Sequence, residues 1–325
     1  MSQRIVISDC DHGYIDPEKA ITDKSGFDLT FAQSMNADAV IKQSKGAVGL
    51  LSQRFQVTSE VMDALPDLKV IGRYGSGIDN IDIPAAKKRN IKVVYAPYFC
   101  FTDVANHTVA GMLFLSRGLH SLDHVMKTNP QKMKAEYDQR TDLTPFVRRP
   151  QFLTVGIVGF GKIGRAVARR LKPFGYKVIA YDPYVPSQMM DELSVQKVSD
   201  LSDLAQASDF LTVHTPLTAQ TKNLIGDSII RKMKPSAYIL NNARGGIVEE
   251  KALLAALKEK RIAGAALDVL EEEPVRADLP FREFPNVILS PHVAFYSQES
   301  LKDLKERVMQ YMVNSLQGKG EWEEA

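Results

Sequence analysis

One stretch constrains this chain more than any other: Gln151 to Pro183, QFLTVGIVGFGKIGRAVARRLKPFGYKVIAYDP. It reads as strand, glycine turn, helix, strand. Leu153–Val158 is a short apolar, β-branched run, as a buried parallel strand requires. Gly159, Gly161 and Gly164 follow at the spacing G-x-G-x-x-G. Ile163–Leu171 then carries apolar residues at helical spacing, and Lys177–Tyr181 is a second strand that ends at Asp182. Gly159 permits the tight turn, Gly161 lets backbone approach a pyrophosphate, and Gly164 lets the helix pack on the strand. The helix N-terminus offers N–H groups and a positive dipole end to the phosphates. Asp182, an acid about 20 residues on, can accept hydrogen bonds from both ribose hydroxyls of an adenosine. A bare glycine pattern is weak; the flanking strands and the acid supply its context. A carboxylate also repels a 2′-phosphate, and Pro183 and Tyr184 supply no cation, so NAD is favoured over NADP. Arg170 and Lys172 are the cations that could offset this.

With 325 residues the chain is about twice a typical domain, so two domains are expected. A net charge of +2 gives no nucleic-acid or membrane footprint. Two cysteines, Cys10 and Cys100, argue against a disulfide framework. MSQRIVISDC runs straight into a strand pattern, unlike a signal peptide, and no apolar run approaches membrane-spanning length. A soluble, cytoplasmic protein is expected.

Residues 1–101 alternate short apolar runs with polar helical stretches. Ile5–Ile7, Leu29–Phe31, Ala39–Ile41, Ala47–Leu51, Lys69–Ile71 and Lys92–Val94 read as strands, with helices at Ser59–Leu65 and Pro84–Arg89. After the strand at Lys69–Ile71 comes Arg73-Tyr74-Gly75-Ser76-Gly77. Two glycines there expose backbone N–H groups able to hold a small anion, or make an ordinary turn. Residues 102–128 read as one long helix with Asp103 as its N-cap and an apolar face of Val104, Thr108, Gly111, Met112, Leu115 and Leu119. His120 and His124 stand at i and i+4, but without an intervening Glu or a third ligand they do not read as a metal site. Residues 129–150 form a polar arm in which Arg148-Arg149 reads as solvated charge. Beyond Asp182 the α/β rhythm continues, with strands at Phe210–Val213, Tyr238–Leu240, Ala263–Leu267 and Val287–Leu289 and helices at Leu201–Ala207, Asp227–Lys232 and Glu250–Lys260. An amphipathic helix, Gln298–Leu316, closes the pattern, and a tail from Gly318 to Ala325 reads as loose.

Three segments follow strands of the glycine-turn half, where parallel sheets hold their ligands. They are Asn241-Asn242-Ala243-Arg244-Gly245-Gly246, Leu267-Asp268-Val269-Leu270-Glu271-Glu272-Glu273-Pro274 and Leu289-Ser290-Pro291-His292-Val293-Ala294. Hydride transfer to a 2-oxo acid needs a cation for the substrate carboxylate, a proton donor for the carbonyl oxygen and an acid to support that donor. Arg244, His292 and Glu273 are residues of those three types. Each has a bland reading alone, as surface Arg, packed His and acidic loop; together on successive strand ends they point to chemistry.

The motifs VGIVGFGKIGRAVA, NNARGGIVEE, GAALDVLEEEP and LSPHVA, in this order and spacing, resemble the D-isomer-specific 2-hydroxyacid dehydrogenase family, over nearly the whole length. DVANHTVAGML and SPHVAFYSQES look closest to its C-terminal-binding-protein-like branch. The resemblance implies two Rossmann-like or flavodoxin-like, doubly wound parallel-sheet α/β domains with the active site in the cleft between them. It implies a discontinuous substrate domain, 1–101 plus 294–325, and an NAD-binding Rossmann domain, 102–293, whose 102–150 helix and arm make a homodimer contact. It implies Arg244 as substrate ligand, His292 as proton donor and acceptor, and Glu273 as its partner. The cofactor set is Gly159, Gly161, Lys162, Ile163, Gly164, Asp182, His214, Pro216, Ala243 and Asp268, with Asp268 and the Ala243 backbone orienting the nicotinamide carboxamide. Ser76 and Gly77 would donate to the substrate carboxylate, and Tyr98, Phe99 and Phe295 would line a pocket for its side group. Many relatives carry an acid where Asn106 stands, and corepressor members a Trp where Phe295 stands. The expected activity is NAD-dependent interconversion of a D-2-hydroxy acid and its 2-oxo acid. The alternatives are an NAD(H)-responsive, corepressor-like scaffold and a short-form phosphoglycerate dehydrogenase, for whose phosphate Arg73 is the candidate cation.

Overall fold

The computed structural model describes residues 3–130 and 147–319. It divides into two compact units: Met1–Phe99 with Ser297–Ala325, and Cys100–Tyr296.

The first unit holds a five-stranded parallel sheet, β1 (Gln3–Ile7), β2 (Phe27–Phe31), β3 (Gly49–Ser52), β4 (Val70–Arg73) and β5 (Lys92–Tyr95), in the order β2-β1-β3-β4-β5. Ile5 stands opposite Leu29 on one side and Gly49 on the other. Ile5, Val6 and Ile7 are fully buried; both faces of β1 are therefore covered, and each such side chain contributes about 1.5–3 kcal/mol. Around the sheet lie α1 (Asp16–Ser25), α2 (Ala37–Ser44), α3 (Ser59–Asp63) and α4 (Ile83–Lys88). Ala39–Ile41, expected as a strand, is instead the centre of α2. A three-residue apolar run has no periodicity of its own, and the Asn36 side chain accepts from Ala39 N at 3.0 Å to start a helix there. α1 goes unread in the sequence because only Glu18 and Thr22 of its ten residues are buried.

The unit is completed by α12 (Gln298–Gln317), started by a reciprocal Ser297–Ser300 capping box. It packs on α1, β4 and β5 through Leu301, Leu304, Val308 and Met312, all buried. Lys305 is fully buried on the same face. Its Nζ donates to Glu18 Oε1 at 3.0 Å, to Tyr14 O and to Cys10 Sγ at 3.5 Å. It lies 4.7 Å from the Tyr14 ring centroid and 5.4 Å from that of Tyr74. The Tyr74 hydroxyl donates to the same Glu18 oxygen. All three ammonium protons thus have acceptors, which is what lets a lysine sit in a core.

The second unit begins with α5 (Phe101–Ser116) and α6 (Leu119–Thr128). These replace the single helix expected over 102–128. Gly118 adopts φ +61° and ends α5 in the left-handed conformation. Leu119 starts the next helix and is exposed, whereas Val104, Thr108, Met112 and Leu115 are buried as read. Nor is Asp103 the cap: α5 starts after Cys100, without a side-chain cap, and Asp103 lies in its first turn, where it still complements the dipole. Asn106 Oδ1 accepts from Arg170 Nε at 2.7 Å, so an uncharged side chain serves that pairing. Residues 131–146, most of the expected arm, and 320–325 of the expected tail lie outside the described residues.

The remaining elements are β6 (Thr154–Val158), α7 (Lys162–Leu171), β7 (Lys177–Tyr181), α8 (Ser187–Asp191), β8 (Gln196–Lys197), α9 (Leu201–Ala207), β9 (Phe210–Val213), α10 (Asp227–Ile230), β10 (Tyr238–Asn241), α11 (Glu250–Lys258), β11 (Gly264–Leu267) and β12 (Val287–Leu289). The sheet is parallel, ordered β12-β11-β10-β9-β6-β7-β8. One apolar layer, including Leu204, Ile239 and Leu253, covers one face; Met112, Val167 and Leu240 belong to the other. The chain reverses direction of travel between β6 and β9, the position at which such sheets open a crevice for a dinucleotide. Both units are thus parallel-sheet α/β domains, as expected. Among the described residues no helix is long and apolar enough to cross a membrane.

Candidate active site

The β6–α7 turn lies at this switch point. Gly159 has φ +90°, and a Cβ there would stand 2.7 Å from His214 O; only glycine fits. A Cβ on Gly164 would stand 2.3 Å from Gly159 O, so helix and turn are in backbone contact, whereas nothing lies within 4 Å of one on Gly161. That is the open approach a pyrophosphate needs. α7 has Gly161 at its N-cap, so no side chain of the N-cap residue covers the start of the helix.

Asp182 Oδ2 accepts from Phe160 N at 2.8 Å, and Oδ1 accepts from Tyr184 N at 2.9 Å and Val185 N at 3.2 Å. The carboxylate therefore ties the glycine turn to the end of β7, a role the sequence does not reveal. A carboxylate has about four acceptor sites, so a ribose hydroxyl can still bind it. His214, just past β9, pairs Nε2 with Thr212 Oγ1 at 2.9 Å, while Nδ1 is buried without a partner. Burial pushes its pKa down to about 3, so the ring is neutral at pH 7. Pro216 is exposed in the next loop. The cradle, the open face at Gly161 and the orphaned His214 nitrogen fit a bound dinucleotide.

Three neighbouring strands, β10, β11 and β12, end in the loops that carry Arg244, Glu273 and His292. Asn241, buried at the end of β10, shapes the first: its Oδ1 accepts from Ala243 N at 3.1 Å and its Nδ2 donates to Arg244 O at 2.8 Å. Arg244 Nη1 donates to Ala243 O at 2.8 Å. Gly245 touches the second loop: a Cβ there would lie 1.9 Å from Leu270 C. Leu270 N in turn donates to Glu273 Oε1 at 3.2 Å.

The third loop is built on Asp268, whose side chain is 1% exposed. Its Oδ1 accepts from Val293 N at 2.9 Å and Ser290 Oγ at 2.6 Å, and its Oδ2 accepts from Ala294 N at 2.9 Å. His292 N donates to Asp268 O at 2.7 Å. So held, His292 adopts φ +53°, uncommon for a residue with a Cβ. Its Nδ1 lies 2.6 Å from Glu273 Oε2. Burial alone would raise the Glu273 carboxyl. The His292 hydrogen bond and charge, Leu270 N–H and the Arg244 cation outweigh it and hold the carboxyl below its ordinary range. The Phe295 ring meets His292 edge-on, with centroids 6.3 Å apart.

Ser76, Gly77 and Tyr98 belong to the other unit. Ser76 is exposed past β4, after Gly75 at φ +134°, where a Cβ would run into the guanidinium of Arg73, whose Nη1 donates to Tyr74 O. Tyr98 is 47% exposed with φ +69°, a strained conformation for an aromatic residue. The sequence reading missed Asn241 and Ser290, although both stand inside its own motifs, and also His107, described below.

A doubly wound sheet with this glycine turn and a His–carboxylate pair on its strand ends defines a dinucleotide-binding α/β protein. Residues 109–294 match the model of the D-isomer specific 2-hydroxyacid dehydrogenase family, NAD binding domain. The chain belongs to this family, and NAD is the cofactor of the matched domain. It is 37% identical over 278 residues, 85% of its length, to D-3-phosphoglycerate dehydrogenase of Methanocaldococcus jannaschii, and spans only about half (51%) of that relative. It is 38% identical over 265 residues to glyoxylate reductase of Thermofilum pendens, covering 81% of this chain and 76% of that one. Among solved structures, the NAD complex of the D-isomer specific 2-hydroxyacid dehydrogenase of Lactobacillus delbrueckii ssp. bulgaricus superposes with a TM-score of 0.82, at 25% identity, over 98% of this chain and 99% of that one. These matches support the family without singling out a branch.

Proposed function

We propose that this chain is an NAD(H)-dependent dehydrogenase interconverting a D-2-hydroxy acid and its 2-oxo acid. The observation that carries the reading is the 2.6 Å contact of His292 Nδ1 with Glu273 Oε2, one loop from Arg244. Gly159, Gly161, Gly164 and the Lys162 and Ile163 amides hold the pyrophosphate, and Asp182 the ribose; Ala243, His214, Pro216 and Asp268 complete the cofactor site. When bound, NAD supplies or takes up the hydride. Arg244 provides the cation for the substrate carboxylate and for the negative charge that develops on the carbonyl oxygen. With Nδ1 committed to Glu273, His292 exchanges its proton with that oxygen through Nε2. Glu273, held ionised, accepts from Nδ1 and so fixes the orientation of the ring. Ser76 and Gly77 offer amides to the substrate carboxylate, and Tyr98 and Phe295 select its side group.

The name of the M. jannaschii relative favours a second reading, a phosphorylated 2-oxo acid, with Arg73 beside Gly75 as the phosphate cation. The test is NADH oxidation against glyoxylate, hydroxypyruvate, pyruvate, branched and aromatic 2-oxo acids and 3-phosphohydroxypyruvate, repeated with NADPH. Turnover of at least one acid is expected, preferentially with NADH, and His292→Ala should lower it by about 10²–10⁴-fold while still binding NADH. Turnover of none by the wild type, or unchanged turnover in the variant, overturns the proposal.

A further inference from the structure

The loop that aims His292 hangs on the Asp268 carboxylate, and that carboxylate has one further attachment, on a different element. His107 lies on α5. Its Nε2 is 3.1 Å from Ser290 Oγ and 3.8 Å from Asp268 Oδ1. Ser290 has a single hydroxyl proton, and its 2.6 Å contact with Asp268, an acceptor when ionised, uses it. The serine oxygen must then accept from His107, so His107 carries a hydrogen on Nε2. A directed chain results: His107 N–H to Ser290, Ser290 O–H to Asp268, and Asp268 receiving the Val293 and Ala294 amides on either side of its carboxylate. Hydrogen bonds in such a chain polarise one another, and those to an ionised acceptor are the strong ones. The far end of the chain is the residue immediately after His292.

The surroundings make this chain sensitive to its first member. A small cavity of about 20 Å³ lies beside it, lined in part by His107, Asn242, Leu240, Ala266 and Ser290. It has room for about one water molecule. Without a donor at position 107, Ser290 can turn its hydroxyl toward that space and release Asp268 Oδ1, which then answers to the Val293 amide alone. The left-handed conformation of His292 is the one that suffers, because it persists only while its surroundings over-determine it.

We propose that His107 is a positioning residue for the proton-transferring histidine, acting through Ser290 and Asp268 on the loop that holds His292. The proposal rests on the reading of His292 as the proton donor, and its test separates the two. Three variants are made in the full chain: His107→Phe, which keeps bulk and loses the donor; His107→Gln, which keeps an N–H donor; and His292→Ala as the reference. Turnover of the best 2-oxo acid should fall roughly tenfold in His107→Phe, mainly in kcat, and largely recover in His107→Gln, with NADH affinity by fluorescence unchanged in both. A second measurement needs no substrate. The protein has six histidines, so the imidazole resonances of selectively labelled protein can be followed singly. His292 signals should move in His107→Phe and return in His107→Gln, while those of His12, in the other unit, stay in place.

Unmoved His292 signals in a folded His107→Phe overturn the proposal whatever the activity, as does a His107→Gln that behaves like His107→Phe. If the wild type turns over no acid, or His292→Ala matches wild type, the dehydrogenase reading fails instead, and the resonances still decide whether His107 positions His292.

Discussion

Gly245 is the point where the Arg244 loop meets the Glu273 loop, and adding one methyl group there tests whether their spacing governs turnover. A Cβ on Gly245 would lie 1.9 Å from Leu270 C, 2.0 Å from Leu270 O and 2.4 Å from Glu271 N. All three are backbone atoms of a planar peptide, so no rotamer change relieves the clash. Ordinary contact begins at 3.4 Å; moving from 1.9 to 3.4 Å opens the loops by about 1.5 Å. Leu270 N is bonded to Glu273 Oε1, so the displacement is passed to the carboxylate that holds His292. Misplacing catalytic groups by about 1 Å can cost roughly 10²-fold in rate, near 2.7 kcal/mol. Overpacking of this kind costs about 1–3 kcal/mol in stability. Gly245→Ala should therefore melt several degrees lower and lose roughly 10²-fold in kcat, yet bind NADH as before. The assay is steady-state NADH oxidation beside a fluorescence titration of NADH and a thermal melt. A folded Gly245→Ala with kcat within about threefold of wild type refutes the reasoning, because the two loops would then be free to separate without consequence.

Gly111 is the opposite case: a Cβ would meet Ala266 Cβ at 3.6 Å and Leu240 Cδ2 at 3.9 Å, both ordinary contacts. Gly111→Ala, inside α5, should stabilise the second unit by roughly 0.5–1 kcal/mol in chemical denaturation. Lys305→Met removes the cation from a fully buried pair and leaves the Glu18 carboxylate buried with its charge unbalanced, the Tyr74 hydroxyl still donating to it; a loss of about 3–5 kcal/mol is expected, measured by the same method, with a smaller loss when Glu18→Gln is added. His214, pushed to about 3 from 6.5, stays neutral in the fold at pH values where the unfolded chain protonates it. The unfolded state then binds more protons, so stability falls with acidification below pH 6.5, by on the order of 2 kcal/mol at pH 5. Unfolding curves at pH 7 and 5 should show this slope in wild type and less of it in His214→Gln.

The glycine turn and its strands are legible because their residue types answer to local geometry: positive φ at Gly159, close contact at Gly164, a continuous apolar run in β6. Six of the seven strands of the second sheet follow from the same rhythm, and β7 and β9 end where the pattern ends; the two-residue edge strand β8 is too short to carry a pattern and goes unread. Ala39–Ile41 shows where local reading fails, since three apolar residues without a period fit a strand as well as the helix that Asn36 caps. The break at Gly118 is visible only to a reader who asks how a helix of more than 25 residues would stop. Arg244, Glu273 and His292 stand out in sequence as chemical types, but the groups that hold them do not. Asn241, Ser290 and His107 look like ordinary polar residues until the fold brings α5 and three strand ends together. Asp182 is read as a ribose ligand, and its three backbone hydrogen bonds need the turn to be built first.

The helix α12 has a consequence for how this protein is made. Its residues cover α1, β4 and β5, yet they are synthesised after the whole of Cys100–Tyr296. At about 5–20 residues per second, roughly 200 intervening residues keep the nascent sheet waiting on the order of 10–40 s. During that interval Glu18 lacks the ammonium that neutralises it, and the apolar surface destined for Leu304 and Val308 faces water or a chaperone. The Cys100–Tyr296 unit, continuous in sequence, has no such delay. The order of birth is thus the reverse of the order of completion, and the N-terminal sheet is the last part of the molecule to close.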